Sequence, residues 1–243
     1  MDKTDFTFLA KDAKFEAAIK YFGKKLPVTA REFYKLAAEY QARAFTIASY
    51  SKAEIIKQFY ELLKQCLENG QTLEDFRRQA NEFQAGAGYR DLTAFRAETV
   101  FRTNIQTAYQ VGHYQAMTDP QVKRLRPYWQ YRAVNDHKTR PAHRAMNGRV
   151  FPADHPIWDT WYPPNGFKCR CLVVTLSERQ VRERGLRVET EAPRAAILDG
   201  NWVNIMPDAH FQTNPATAPW QPVPINFPPA LRTAYLRSME STK

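Results

Sequence analysis

Two cysteines one residue apart, Cys169 and Cys171, follow a Pro163-Pro164-Asn165-Gly166 turn and precede the apolar run Leu172-Val-Val-Thr-Leu176. Thiolates and imidazoles are both good zinc ligands, so this pair has the chemistry to hold zinc with His143, His137, His155 or Asp154 from the chain just upstream. A disulfide between the two would close an unusually tight ring with poor geometry. A free cysteine also packs as a small hydrophobe. The spacing contains no Cys-x-x-Cys, so residue types alone leave zinc and packing both open.

The same stretch offers a second chemistry. His143, Asn147, Asp154 and His155 sit in a basic, turn-rich segment. In a one-metal nuclease an imidazole activates water and a divalent ion steadies the phosphate. Framing Cys-x-x-Cys pairs are absent, however, and Asn147-Gly148 is accounted for as a turn. The expectation is therefore no catalysis.

These residues must be positioned by regular elements. Residues 169–176 and 128–134 are rich in aromatic and β-branched side chains and read as strands. In a strand, side chains two apart share a face, so Cys169, Cys171 and Val173 point one way and Arg170, Leu172 and Val174 the other. Turn signals fill the interval between the strands: Asn147-Gly148, Pro152, Pro156, Pro163-Pro164 and Asn165-Gly166. Ser177 can start a short helix that Gly185 ends.

The chain before the strands reads as helices. Thr29-x-x-Glu32 and Ser51-x-x-Glu54 have capping-box spacing, Gly70 is placed to end a helix, and Thr72 can cap the next. Four helical segments fit between residues 12 and 84. A longer helix is expected from about Leu92 to Met117, with Ala97, Phe101, Ile105, Ala108, Tyr109, Gly112 and Ala116 as its apolar stripe. On that reading Gln110 and His113 lie on other faces, and His113 is given no chemistry. Cys66 falls on a helical stripe with Ile55, Ile56, Phe59, Leu62, Leu63 and Leu67, where it packs as a small hydrophobe. Seven prolines follow Pro193, which predicts an extended tail.

The whole is an α+β chain: a helical region over 1–90, a compact module with a small antiparallel sheet over 91–190, and a Pro-rich extended tail over 191–243. Its 243 residues, 44% hydrophobic and 25% charged, are ordinary globular composition. The first residues lack an apolar leader core, and no run approaches the roughly 18 apolar residues of a spanning helix. Three cysteines are too few for a disulfide framework, which favours a reducing compartment such as the cytosol. The net charge of +10 is concentrated between Pro120 and Val150, where eight basic residues face one acid, Asp136. Interleaved with Tyr128, Trp129 and Tyr131, this block is a candidate contact surface for nucleic acid or for an acidic protein surface, with Lys123, Arg124, Arg126 and Arg132 as the DNA-contact candidates. A solvated basic surface without a dedicated partner, or an accessory DNA-binding protein, fits the charge equally well.

The order Trp129, Asp136-His-Lys-Thr-Arg-Pro-Ala-His143, Asn147-Gly148, Asp154, Trp158 and Pro163-Pro164-Asn-Gly-Phe-Lys-Cys169-Arg-Cys171 resembles the head-morphogenesis domain of Mu F-like minor head proteins of phages. The likeness, with the helices upstream, covers roughly residues 12–182. It implies a non-enzymatic structural protein that acts in capsid assembly near the portal. Portal and capsid or scaffold proteins are the implied partners, with packaged double-stranded DNA as a further contact. Membranes and small-molecule substrates are not expected. The implied location is the virion head, and the host cytoplasm during assembly.

The motif residues carried over are Asp136, His143, Gly148, Asp154, Pro163, Pro164, Cys169, Arg170 and Cys171. Some members of this family have Cys-Pro-x-Cys where this chain has Arg140-Pro-Ala-His143, and a histidine where it has Gly166. Two of four plausible ligands are thus absent, and no metal cofactor is expected. His143, Cys169 and Cys171 remain as the zinc candidates. The expected arrangement has the cysteines anchoring the His143 loop and Asp136 bonding amides two or three residues ahead. Arg170, on the other face, either braces a carboxylate such as Asp154 or Asp159 or is merely solvated, the two being equal expectations.

Overall fold

The computed structural model describes residues 16–41, 43–48, 50–217 and 227–240. It has an α+β fold divided into two compact units, one formed by residues 1–108 with 218–243, the other by residues 109–217.

The first unit is mainly helical. Its helices are α1 (Glu16–Gly23), α2 (Ala30–Phe33), α3 (Ala38–Gln41), α4 (Ala53–Asn69), α5 (Leu73–Gly86) and α11 (Pro229–Glu240), together with the first part of α6 (Ala94–Met117). Two short strands, β1 (Leu26–Pro27) and β2 (Ala44–Phe45), pair in parallel. Local sequence sets the helix ends. Thr29 with Glu32 and Thr72 with Asp75 form capping boxes, and Gly70 ends α4 with φ 63°, a conformation glycine adopts without a Cβ penalty.

Ser51 is not a cap. Helix α4 begins one residue later, with Lys52 in the cap position and no side-chain cap bond, so Glu54 is not in third place. The core of this unit is aromatic. Phe22 stacks on Tyr60 with centroids 5.3 Å apart, Phe59 meets Phe83 edge-on at 4.7 Å, and Phe76 lies 5.6 Å from Phe101. Leu26, Val28, Leu36 and Ala44 pack with Phe227 and Leu231 of the C-terminal segment. Cys66 is buried on α4, as its stripe predicts.

The second unit carries the motif. It contains the end of α6, then α7 (Pro120–Leu125), β3 (Tyr128–Arg132), α8 (Pro141–Met146), β4 (Val150–Pro152), α9 (Trp158–Trp161), β5 (Leu172–Leu176), α10 (Glu178–Glu183) and the strands β6 (Ala195–Leu198) and β7 (Asn201–Asn204). The sheet order is β4-β3-β5, all antiparallel, with Tyr128 opposite Leu176 and Arg132 opposite Leu172. That register explains why β5 starts at Leu172 rather than at Cys169: β3 ends at Arg132, leaving no partner strand for residues 169–171. Alternation nevertheless extends into the unpaired stretch, since Cys169, Cys171 and Val173 are buried while Arg170, Leu172 and Val174 are partly exposed.

Trp129, Tyr131, Met146, Phe151, Trp158, Trp161, Tyr162 and Val173 build the core around these cysteines. At the hydrophobic effect's usual strength, burial of each large side chain contributes about 1.5–3 kcal/mol. The stretch after residue 191, expected from its prolines to be extended, carries the β6–β7 hairpin and helix α11. The hairpin packs against α8 and so covers the outer side of the motif. Part of the tail, residues 218–226 and 241–243, lies outside the described residues.

Candidate functional site

The loop between β3 and β4 is closed by its own side chains. Asn135, at φ 61°, turns the chain away from β3. The Asp136 carboxylate then accepts from the Lys138 amide at 3.0 Å and the Thr139 hydroxyl at 3.2 Å, as Asp commonly does in turns. Pro141 opens α8 at a position where its missing N–H costs nothing. Positions 143 and 146 share a face of that helix, and His143 and Met146 are both buried. After α8, Asn147 Oδ1 accepts from the Ala133 amide at 2.9 Å, and Gly148, at φ 85°, donates its N–H to the Tyr131 carbonyl at 2.8 Å. The sequence signalled turns here; the structure adds the short helix that aims His143 inward.

The cysteine segment is positioned by a second closed turn. Pro163 and Pro164, joined by a cis peptide bond, are buried, and so is Asn165. Asn165 Oδ1 accepts from the Tyr131 hydroxyl at 2.9 Å, and its backbone carbonyl accepts from the Asp208 amide at 3.0 Å. The Gly166 carbonyl accepts from the Cys169 amide at 3.2 Å. From α6, the Gln110 side chain donates to the Cys171 carbonyl at 3.2 Å, His113 Nε2 donates to the Val173 carbonyl at 3.0 Å, and the Tyr162 hydroxyl donates to the Gln110 carbonyl at 2.9 Å.

At the centre, His143 Nδ1 lies 3.4 Å from Cys171 Sγ and 3.8 Å from Cys169 Sγ. All three side chains are within 3% of full burial, and His143 Nε2 has no hydrogen-bond partner among the described residues. The Cys171 thiol and then the imidazole, both bonding to the Cys169 sulfur, pull the Cys169 thiol well below its ordinary value against the opposing effect of burial. The bond to Cys169, together with burial, pushes the Cys171 thiol up. Burial likewise raises the phenols of Tyr131 and Tyr162. Thiolate and imidazole so close together are a soft-metal ligand set, and among the described residues this is the group of three or more His, Cys, Asp or Glu able to hold an ion. The side chains suggested to complete it are elsewhere: His137 and Asp154 are exposed, and His155 is engaged with the Thr190 carbonyl and the Ile157 amide.

Arg170 does not reach Asp154 or Asp159. It grips Asp136, because its side chain leaves the opposite face of the Cys-Arg-Cys segment directly over the Asp136 turn. This guanidinium is the main reason the Asp136 carboxyl is held below the usual carboxylate range, helped by the Lys138 amide and Thr139.

The basic candidates do not form one cluster. Lys123 and Arg124 lie in the last turn of α7, whereas Arg126 is bound to Thr175, through Oγ1 at 2.5 Å and the carbonyl at 2.6 Å. Arg132, exposed, is the last residue of β3, roughly 20 Å along an extended chain from Arg126. Of the remaining basic residues in this block, Arg140, Arg144 and Arg149 pair with Asp208, Asp199 and Glu189 at 2.9, 3.0 and 2.6 Å.

Gln110, His113, Tyr131 and Asn165 were not singled out by sequence as site residues. One weak signal was present: no Asp, Glu, Lys or Arg occurs between Arg102 and Asp119, and within that uncharged stretch Ala108, Gln110, Val111, Gly112 and Met117 are buried while His113, Gln115 and Ala116 are exposed.

Residues 57–174 match the family described as Phage Mu protein F like protein. A relative from Haemophilus influenzae named "Mu-like prophage FluMu F protein" is 35% identical over 176 residues, covering 65% of this chain and 41% of the relative. A relative from Escherichia phage Mu named "Putative capsid assembly protein F" is 29% identical over 244 aligned positions, covering 83% of this chain and 54% of the relative. The chain therefore spans about half the length of these relatives or less. No solved structure matches it significantly. The matched segment runs from α4 into β5 and so contains the Asp136 turn, α8 and the Cys-Arg-Cys segment: it is the part of the chain that carries the motif that is similar to the phage Mu protein F like family.

Proposed function

We propose that this chain is part of a phage or prophage minor head protein that acts in head morphogenesis near the portal, with portal, capsid or scaffold proteins as partners and packaged DNA as a further contact. The observation that carries this reading is the alignment of 83% of the chain with a phage Mu protein named for capsid assembly. On this reading the protein resides in the assembling head and the virion, and it has no catalytic role. The geometry supports the non-catalytic part. Of the residues named for water activation, His143 is buried against two sulfurs, and Asn147 and His155 are occupied by backbone groups. No described helix is long and apolar enough to cross a membrane.

Lys123, Arg124 and Arg132 support DNA contact: among the described residues no acid pairs with them, whereas three neighbouring arginines are neutralised by carboxylates. Mass spectrometry of purified particles, with copy number per capsid, tests the central claim. The expected result is a low-copy virion or procapsid component; a protein found only free in the lysate would overturn it.

A further inference from the structure

We propose that His143, Cys169 and Cys171 form a zinc-binding site, contrary to the metal-free packing that the sequence favoured. The argument starts from the ligand-atom spacing. Zinc bonds of about 2.3 Å to sulfur and 2.0–2.1 Å to nitrogen, at tetrahedral angles, place a sulfur and a nitrogen about 3.5 Å apart and two sulfurs about 3.8 Å apart. The two sulfur to Nδ1 distances are 3.4 and 3.8 Å, and all three ligand atoms lie within 4.8 Å of one another.

The two thiols bond to each other, but a single hydrogen bond at Nδ1 does not account for both sulfurs beside it. Nδ1 has a single in-plane position, either a lone pair or an N–H, and so makes one well-directed bond. Here two sulfurs crowd the same nitrogen. A cation between them uses one lone pair from each of the three atoms.

Charge points the same way. Two thiolates and a neutral imidazole balance Zn²⁺, so the filled site buries no net charge, where an isolated buried thiolate would be costly. The supports are rigid and come from separate elements. Helix α8 directs the imidazole, the Gln110 amide holds the Cys171 carbonyl, and the Tyr131–Asn165 bond fixes the turn before Cys169. Three protein ligands leave the fourth position to a non-protein donor, since His137, His155 and Asp154 are not in the group. This site does not depend on the capsid assignment, and metal content is read on the isolated chain.

The test uses the full chain purified without chelator. Elemental analysis should give about one zinc per chain, as for a filled three-ligand site. Metal-depleted protein, shown to be folded by circular dichroism, should develop sulfur-to-cobalt charge-transfer absorption on titration with Co²⁺. Added Zn²⁺ should abolish that absorption and raise the melting temperature. Cys169→Ser, Cys171→Ser and His143→Ala should each weaken or remove the cobalt bands, and Cys66→Ser should keep them. Should the site variants fail to fold, the wild-type titration decides alone: folded chain that contains no zinc and gives no thiolate–cobalt band overturns the site.

Discussion

Arg170 holds both carboxylate oxygens of Asp136, Nη1 to Oδ2 at 2.8 Å and Nη2 to Oδ1 at 2.5 Å. The two residues are 34 positions apart, so the pair fastens the turn that leads into α8 to the segment that carries both cysteines. A two-point fork of this kind is stronger than a single surface ion pair, but both side chains remain about one-third exposed, which screens it.

Asp136→Asn is expected to destabilise the second unit by about 1 kcal/mol, as suits a bidentate pair about one-third exposed. The pH dependence has a definite sign. Asp136 is depressed in the folded chain, so its contribution is complete above the unfolded carboxylate value of about 4 and is lost as pH falls towards the depressed value. Melting temperature against pH should therefore fall less steeply on the acid side in Asp136→Asn than in the parent. Parallel curves would separate Asp136 from acid stability.

Gln110→Leu removes the donor to the Cys171 carbonyl and leaves a buried acceptor unmet. A loss of about 1–3 kcal/mol is expected in denaturant titration. Gln106→Leu, one turn earlier on the same helix, is the comparison and should cost less than Gln110→Leu.

Cys66 should be chemically silent in the native chain. Burial, with the Asp75 carboxylate adding to it, pushes its thiol up to about 12, so little thiolate exists at neutral pH. Alkylation followed by peptide mass spectrometry should label Cys66 only under unfolding conditions. Rapid native labelling would show that α4 opens readily.

The basic residues should divide into two kinds. Arg126→Ser should lower the melting temperature, because it breaks the bonds to Thr175 that tie the end of α7 to β5. Lys123→Ser and Arg124→Ser should leave melting unchanged but weaken duplex DNA binding, and each lost phosphate contact should reduce the salt slope by about 0.9. An unchanged affinity and slope in the double variant would remove α7 from the DNA surface.

Much of the local structure was legible because it depends on neighbours in sequence. The capping boxes at Thr29 and Thr72, the left-handed end at Gly70, the burial alternation from Cys169 to Val174 and the amide-binding role of Asp136 all follow from residue type and short spacing. So did the resemblance that the family match bore out. Where one position of register mattered, local reading failed: Ser51 sits one residue outside the helix it seemed to cap.

Partnerships across long separations needed the fold. Arg170 had Asp136, Asp154 and Asp159 within plausible reach, and only the packing of the Cys-Arg-Cys segment over the Asp136 turn selects among them. Gln110 has a polar side chain that periodicity assigns to an outer face, yet it is buried, and there it donates to the Cys171 carbonyl of the segment just before β5. Residue types offered six metal-ligand candidates, Cys169 and Cys171 with His143, His137, His155 or Asp154, of which the fold gathers His143, Cys169 and Cys171. Residue types could not fix their distances, since bringing His143 onto two sulfurs 26 and 28 residues away requires a sheet, a helix and two closed turns to agree on one geometry.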